Sequence, residues 1–127
     1  METRTITKAN LNDRNEFSGS LEFFGHVVFE ANLGTVVITG SLAAAGSIVA
    51  KAGTGIKAGT GIEAGWGIKA GWGIEAGLSI TCKYLSAKFR IFAGLCTWKV
   101  PSVEETAITA QKIDGTVAFG TINLIKE

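Results

Sequence analysis

The chain of 127 residues has few of the residues that staple small proteins together or carry their chemistry. It contains one proline, one histidine and two cysteines. Cys82 and Cys96 are too few for a disulfide framework and too far apart for a paired-ligand metal motif, so we expect both to be reduced. The sequence therefore predicts no disulfide scaffold, no metal site and no bound cofactor.

A strong charge of either sign is missing as well. Twelve basic and eleven acidic residues leave a formal charge of +1, so no overall field attracts the protein to phosphates, and nucleic acid is a disfavoured partner. Residues 1–18 are mostly polar, which argues against a secretory signal and makes the cytoplasm the expected compartment. Residues 31–50 carry no charge, but their Asn, Thr, Ser and Gly content favours buried β-structure over a membrane span.

Glycine, by contrast, is abundant, with 17 residues, and it recurs in a regular pattern. From Gly55 the chain reads GIKAGT, GIEAGW, GIKAGW and GIEAGL, which places an isoleucine at every sixth position. A six-residue step cannot keep these isoleucines on one face of an α-helix. In extended chain, each isoleucine shares a face with the alanine two residues later, and the charged residue between them faces away. The pattern predicts short strands joined by glycine-flanked corners.

Repeats this short cannot bury an apolar face alone, so they must stack coil on coil. The hexads resemble the hexapeptide-repeat β-helix family over residues 21–93, in which three hexads of about 18 residues form one triangular coil. The resemblance implies an all-β fold, a single-stranded parallel β-helix with three faces per coil. Stacking at this interval predicts Lys57 beside Glu75, one column of Ile48, Trp66 and Tyr84, and another of Ile56, Ile74 and Phe92.

The expected organisation is one solenoid with a different structure at each end. The solenoid is predicted for residues 17–100, and residues 1–16 are an N-terminal cap or a flexible arm. Within residues 101–127, two strand-like segments flank Asp114-Gly115, which is a strong signal for a β-hairpin. We expect this hairpin to cap the C-terminal end, because an open solenoid end exposes unpaired backbone.

Candidate catalytic residues are few. Hexapeptide-repeat acyltransferases use a histidine as general base, so the resemblance makes His26 the one candidate. The sequence has no recognisable acceptor-binding insertion, and a corner histidine is the commoner explanation. Cys82 occupies an inward alanine position, and neither cysteine has a histidine nearby in sequence to activate it. We therefore predict no catalytic residue and a protein that is not an enzyme.

The two tryptophans of the repeat leave two interpretations open. If Trp66 and Trp72 point outwards, they form an aromatic anchor patch for a protein partner. If they point inwards, they fill the core. The outward interpretation makes the candidate partner-binding residues Trp66, Trp72, Lys57, Lys69, Glu63 and Glu75.

The repeat also carries a second resemblance. Hexads of the GIKAG and GIEAG type that run into SITCKYLSAKFRIFAG resemble small uncharacterised proteins of bacteria, phages and mobile elements. This resemblance implies a non-enzymatic solenoid that binds and inhibits a host defence protein, as anti-CRISPR proteins do. The alternatives are a self-assembling scaffold that resembles bactofilins, which would form homo-oligomers, and a hexapeptide-repeat acyltransferase.

Overall fold

A computed structural model describes residues 2–96 and 98–125. Within these ranges the regular structure is β-strand with two short 3-10 helices, Lys8–Asn10 and Glu104–Thr106, and no α-helix. None of the helices described there is long and apolar enough to cross a membrane. The strands are β1 (Glu2–Ile6), β2 (Glu16–Phe17), β3 (Leu21–Phe23), β4 (Gly25–Phe29), β5 (Gly34–Ile38), β6 (Leu42–Ala44), β7 (Ile48–Ala50), β8 (Thr54–Ala58), β9 (Ile62–Ala64), β10 (Gly67–Ala70), β11 (Ile74–Ala76), β12 (Ile80–Thr81), β13 (Tyr84–Ala93), β14 (Ala107–Ala110), β15 (Lys112–Phe119) and β16 (Thr121–Leu124).

The strands stack in parallel and wind into a solenoid of about five turns with three faces, which confirms the predicted fold class. All strand pairs are parallel. Two long strands, β13 and β15, each bend from the first face to the second. The first face consists of β1, β4, β7, β10 and residues 84–87 and 112–114; the second of β2, β5, β8, β11 and residues 91–93 and 116–119; the third of β3, β6, β9, β12, β14 and β16.

Aliphatic columns from the three faces fill the core. On the second face, Ile56, Ile74 and Ile91 lie in register on successive coils and are almost fully buried. Burying each such side chain contributes about 1.5–3 kcal/mol. The second inward position of most coils holds alanine, and it holds Phe29 near the N-terminal end, where the core is filled by larger side chains.

The interval between coils is not constant. The predicted interval of 18 residues holds between β8 and β11, where Lys57 lies opposite Glu75. Ile48, however, lies opposite Ile68, so the predicted column of Ile48, Trp66 and Tyr84 is wrong. Five residues separate Ala50 from Ile56, whereas three separate Ala44 from Ile48, and Gly53 bends the backbone within this longer connection at a φ of 76°. Since isoleucine must stay inside, the corner takes up the added length.

A shorter corner corrects the other predicted column. Only two residues separate the buried Cys82 from the buried Leu85. In the preceding hexad, three residues separate the buried Ala76 from the buried Ile80. Ile91 therefore takes the inward position opposite Ile74, and Phe92 faces outwards opposite Glu75. A difference of one residue reverses the side on which a strand residue points.

The C-terminal hairpin is not formed. β15 continues through Asp114 and Gly115 without turning back, and it pairs in parallel with β13, as β16 does with β14. Gly115 has a φ of 148° and lies where β15 passes from the first face to the second, so the Asp-Gly signal marks a solenoid corner. Residues 2–17 likewise form a first layer, with β1 paired to β4 and Leu11 packed against the core. The coils therefore extend from β1 to β16, beyond residues 17–100.

Candidate functional site

Both repeat tryptophans point outwards, at opposite ends of β10. The side chain of Trp66 is 53% exposed at the corner that enters β10, and that of Trp72 is 38% exposed at the corner that leaves it. Each tryptophan lies between two glycines. Because glycine has no side chain, neither neighbour in sequence competes with the large ring for space at the corner. The structure therefore decides between the two open interpretations in favour of surface aromatics.

The side chain of Trp72 packs against residues of neighbouring coils. Its Cβ would lie 3.2 Å from a Cβ added to Gly55, and its Cζ3 would lie 3.9 Å from one added to Gly34. The ring therefore lies over the glycines of the preceding coils. Its centroid is 6.4 Å from that of Phe89, with an angle of 33° between the ring planes. Together Trp72 and Phe89 form an aromatic ridge at the corner between the first and second faces.

A groove of about 530 Å³ opens beside this ridge on the second face. Ridge residues Trp72 and Phe89 line one side, and Gly73 leaves backbone exposed along the groove because it has no side chain. The volume lies within the range of ordinary ligand and peptide clefts, about 300–1,000 Å³. We call this cleft the aromatic groove; its lining residues are Thr35, Ile56, Trp72, Gly73, Glu75, Lys88, Phe89, Arg90, Phe92 and Thr116.

The charges around the aromatic groove leave it basic. Glu75 Oε2 lies 3.9 Å from Lys57 Nζ, the attractive pair expected from the hexad register. Both side chains are largely exposed, so the pair contributes at most about 1 kcal/mol to stability. Lys88 Nζ lies 5.9 Å from the ring centroid of Phe89. Among residues 2–96 and 98–125, neither Lys88 nor Arg90 has a carboxylate within 4.0 Å.

A second, smaller cleft lies at the other side of the same face. It has a volume of about 320 Å³ and shares Glu75 with the aromatic groove, so the two clefts are neighbours. Its outer wall comes from the long corner between β13 and β14, through Leu95, Cys96 and Trp98. In this corner segment Trp98 is 60% exposed and Val100 almost fully exposed. The second face is thus bordered by tryptophan on both sides.

Hydrogen bonds hold the far part of this corner segment in shape. Glu105 accepts the backbone N–H of Ser102, and the Ser102 hydroxyl accepts that of Glu105. Lys99 Nζ also donates to Glu105 Oε2. The lysine contact lowers the pKa of the Glu105 carboxyl, and the Ser102 N–H adds to the effect. Lys99 Nζ also lies 5.1 Å from the ring centroid of Trp98. This lysine therefore links the tryptophan to the 3-10 helix Glu104–Thr106.

The six predicted partner-binding residues do not form one patch. Trp72, Lys57 and Glu75 meet on the second face. Trp66 lies at a different corner, with Lys83 Nζ 4.6 Å from its ring centroid. Lys69 points outwards from the first face and Glu63 from the third.

Several residues of the site were missed by sequence reasoning. Phe89, Arg90 and Phe92 all line the aromatic groove. The segment KFRIF does carry a signal, because with Ile91 inside, the residues on either side of it must point outwards. The segment can be interpreted in this way only once the corner before Leu85 is known to be one residue short, because that corner makes Ile91 the inward residue.

His26 serves the stacking of coils. Its Nδ1 accepts the backbone N–H of Ser47 at 2.9 Å, so a neutral ring carries its proton on Nε2. A Cβ added to Gly46 would lie 2.3 Å from this nitrogen, which means that the ring fills the place of a side chain on the next coil. The contact explains why residue 46 is a glycine, and it requires no chemical role for the imidazole.

Neither cysteine lies in an activating environment that the geometry reveals. Cys82 is buried in the core, as its position in the hexad predicts, and burial raises the pKa of its thiol to about 12. A thiol that stays protonated is a weak nucleophile. Over the described part of the chain, no group of three or more His, Cys, Asp and Glu residues is placed to hold a metal ion.

The fold and this surface define a class, a three-faced parallel β-solenoid with an aromatic groove along one face. No protein-family model, no curated protein and no solved structure matches the chain.

Proposed function

We propose that the chain is a non-enzymatic protein-binding module whose second face binds its partner through the aromatic groove and the neighbouring corner segment. The observation that carries the proposal is the concentration of large aromatic side chains on one face of a rigid solenoid. They are Trp72, Phe89, Phe92, Phe119 and Trp98.

The composition of this surface favours a protein partner. Protein interfaces are enriched in aromatic residues and arginine, and the few residues that carry most binding energy are often of these types. Because the backbone below the groove is fixed by ladders on successive coils, little conformational entropy is lost when a partner binds. The two clefts share Glu75, so one partner segment can contact both.

The charges favour a partner segment that carries acidic residues beside apolar ones. Lys88 and Arg90 are exposed at one side of the groove, while Glu75 is paired with Lys57. Such complementarity raises the association rate and selects against basic partners. Phe92 and Trp72 would receive the apolar side chains of the same segment.

The role we propose for this binding is inhibition of a host defence protein by occupation of its surface. This role is the one expected from the GIKAG and GIEAG hexads, and no matching protein speaks for or against it. Inhibition by occupation requires a shaped surface and no reacting group. The partner's functional surface would then be blocked for as long as the complex lasts.

The test begins with partner capture from the native host and ends with the purified pair. The captured protein is produced separately, and its affinity is measured by calorimetry for the wild type and for the Arg90→Glu and Lys88→Glu variants. Each reversal should weaken binding at least about tenfold, which corresponds to about 1.4 kcal/mol. Both positions are exposed, so the fold should be retained.

Trp66→Ala provides the matched aromatic control, since Trp66 is exposed at a corner outside the groove. Trp72→Ala combined with Phe89→Ala should abolish measurable binding, whereas Trp66→Ala should not change it. Full affinity in the groove variants, or loss of affinity confined to Trp66→Ala, would show that the partner binds elsewhere.

A further inference from the structure

The last layer of the solenoid exposes residues that belong to the core. Ile108 and Ala110 are fully buried in β14. Ile122 and Leu124 lie in register above them in β16 and point in the same inward direction, yet they are 53% and 61% exposed. Their exposure arises because nothing in the described part of the chain packs above them.

The backbone of this layer is open as well. β16 pairs with β14 on one side, and β15 pairs with β13 on one side; neither has a second neighbour within residues 2–96 and 98–125. An open edge of this kind carries unpaired N–H and C=O groups and accepts a further strand readily. The C-terminal end is therefore apolar at its centre and unpaired along its edge.

At the opposite end of the solenoid the core is covered, although β1, β2 and β3 each have a strand neighbour on one side only in the described part of the chain. Leu11 packs against the core there, and the Arg4 guanidinium lies 5.5 Å from the ring centroid of Phe17. The short 3-10 helix above them is fixed by Thr7, whose backbone N–H donates to Asn10 Oδ1 at 2.9 Å. The two ends thus differ in their apolar surface, because Ile6 and Leu21 of the first layer are buried, whereas the inward-pointing side chains of β16 are exposed.

We propose that the C-terminal end binds the same end of a second copy of this chain, related to it by a two-fold axis. This axis is perpendicular to the solenoid, so the facing strands of the two copies are antiparallel. The open edges of β15 and β16 can then form backbone hydrogen bonds across the interface. The first face then meets the first face of the second copy, and the second face meets the third. Val117 packs against Ile122 and Leu124 of the second copy.

The charges of β15 fit this arrangement. Lys112 and Asp114 are in register with Tyr84 and Ser86 and point outwards on either side of Ile113. When this part of β15 pairs with itself antiparallel about Ile113, Lys112 of one copy lies opposite Asp114 of the other, and the pair occurs twice. Opposite charges directly across a strand pair stabilise it, and like charges destabilise it.

A closed dimer follows, because a filament would need an exposed apolar centre at both ends, and at the N-terminal end Ile6 and Leu21 of the first layer are already buried. This arrangement departs from end-to-end polymerisation of the bactofilin type, which needs both ends to be open. The outward side of the second face is not covered in the dimer, although its last strand, with Thr116 and Phe119, lies next to the second copy. Each dimer therefore carries two aromatic grooves. The proposal is independent of the partner proposed for that face.

Sedimentation velocity of the full chain, from about 1 μM to about 100 μM, tests the proposal. We expect a dimer for the wild type. Lys112→Asp and Asp114→Lys should each weaken the dimer about tenfold, because each creates two like-charge contacts. The double variant should restore it, since the two charges are merely exchanged. Lys51→Asp, also an exposed lysine but distant from this end, should have no effect.

Ile122→Asp tests the apolar centre of the same interface. It should give a monomer whose far-ultraviolet circular dichroism matches that of the wild type, because the coils below keep their ladder. A monomeric wild type at 100 μM, or a dimer that survives Ile122→Asp, would overturn the proposal. Failure of the double charge variant to recover would overturn the proposed pairing even if Ile122→Asp unfolds the chain.

Discussion

Thr54 and Glu30, on neighbouring coils, are joined by a hydrogen bond inside the solenoid. The Thr54 hydroxyl donates to the Glu30 carbonyl oxygen at 2.5 Å and accepts the backbone N–H of Leu33 at 3.0 Å. Its side chain is fully buried. One hydroxyl therefore satisfies two backbone groups at the long corner before β5.

Replacing Thr54 with valine should destabilise the protein. Valine keeps the shape but removes this partner from a partly buried carbonyl and a partly buried N–H, at a cost of about 1 kcal/mol. Chemical denaturation with urea measures the change. Thr60→Val is the matched control, because Thr60 occupies the next hexad and is only partly buried. Equal stability of the two variants would contradict this role for the hydroxyl.

Gly77 should not tolerate alanine. An added Cβ would lie 2.0 Å from the carbonyl oxygen of Gly59 on the preceding coil, a backbone atom that cannot move without breaking the ladder. We expect Gly77→Ala to lower the free energy of unfolding by about 1–3 kcal/mol. Gly61→Ala, whose added Cβ would meet the Ser79 carbonyl oxygen at 3.3 Å, should cost clearly less. Thermal unfolding of both variants decides the matter.

Cys82 should make the protein less stable at alkaline pH. Burial raises its thiol pKa from the usual 9.0 to about 12 in the folded state. Between these values the unfolded chain releases the proton and the folded chain keeps it, so stability is full below pH 9 and falls as pH rises towards 12. Cys82→Ala should reduce this fall without changing the fold, because alanine occupies the same inward position in other hexads. An unchanged slope in denaturation curves between pH 9 and pH 11 would contradict the prediction.

The corner segment that carries Trp98 should respond to acid. Lys99 and the Ser102 N–H lower the pKa of the Glu105 carboxyl in the folded state. The contact is therefore complete above the usual pKa of glutamate and is lost as pH falls through the lowered folded value. Carbon-detected nuclear magnetic resonance should show Glu105 titrating below the usual pKa of a glutamate. Lys99→Ala should move its pKa back towards the usual value, and an unmoved titration would exclude the lysine as the main cause.

Much of the fold follows from local sequence. Isoleucine at every sixth position predicts strands and corners, because side chains of extended backbone alternate between two sides. This alternation predicts the buried Ile56 and Ile74, the outward Lys57 and Glu75, and their pairing on adjacent coils. It also places Cys82 in the core.

The tertiary structure alone decided which residue of β13 enters the core and how β15 pairs. The first depends on the length of a corner, and the second on competition between two possible strand pairings. Ile91, and not Phe92, enters the core because the corner before Leu85 is one residue short, and that shift creates the aromatic groove. Asp114-Gly115 would suit a hairpin, yet β13 below offers β15 a parallel neighbour along most of its length. The alternation of side chains is intrinsic to each strand, whereas the register between coils depends on every residue in the corners that separate them.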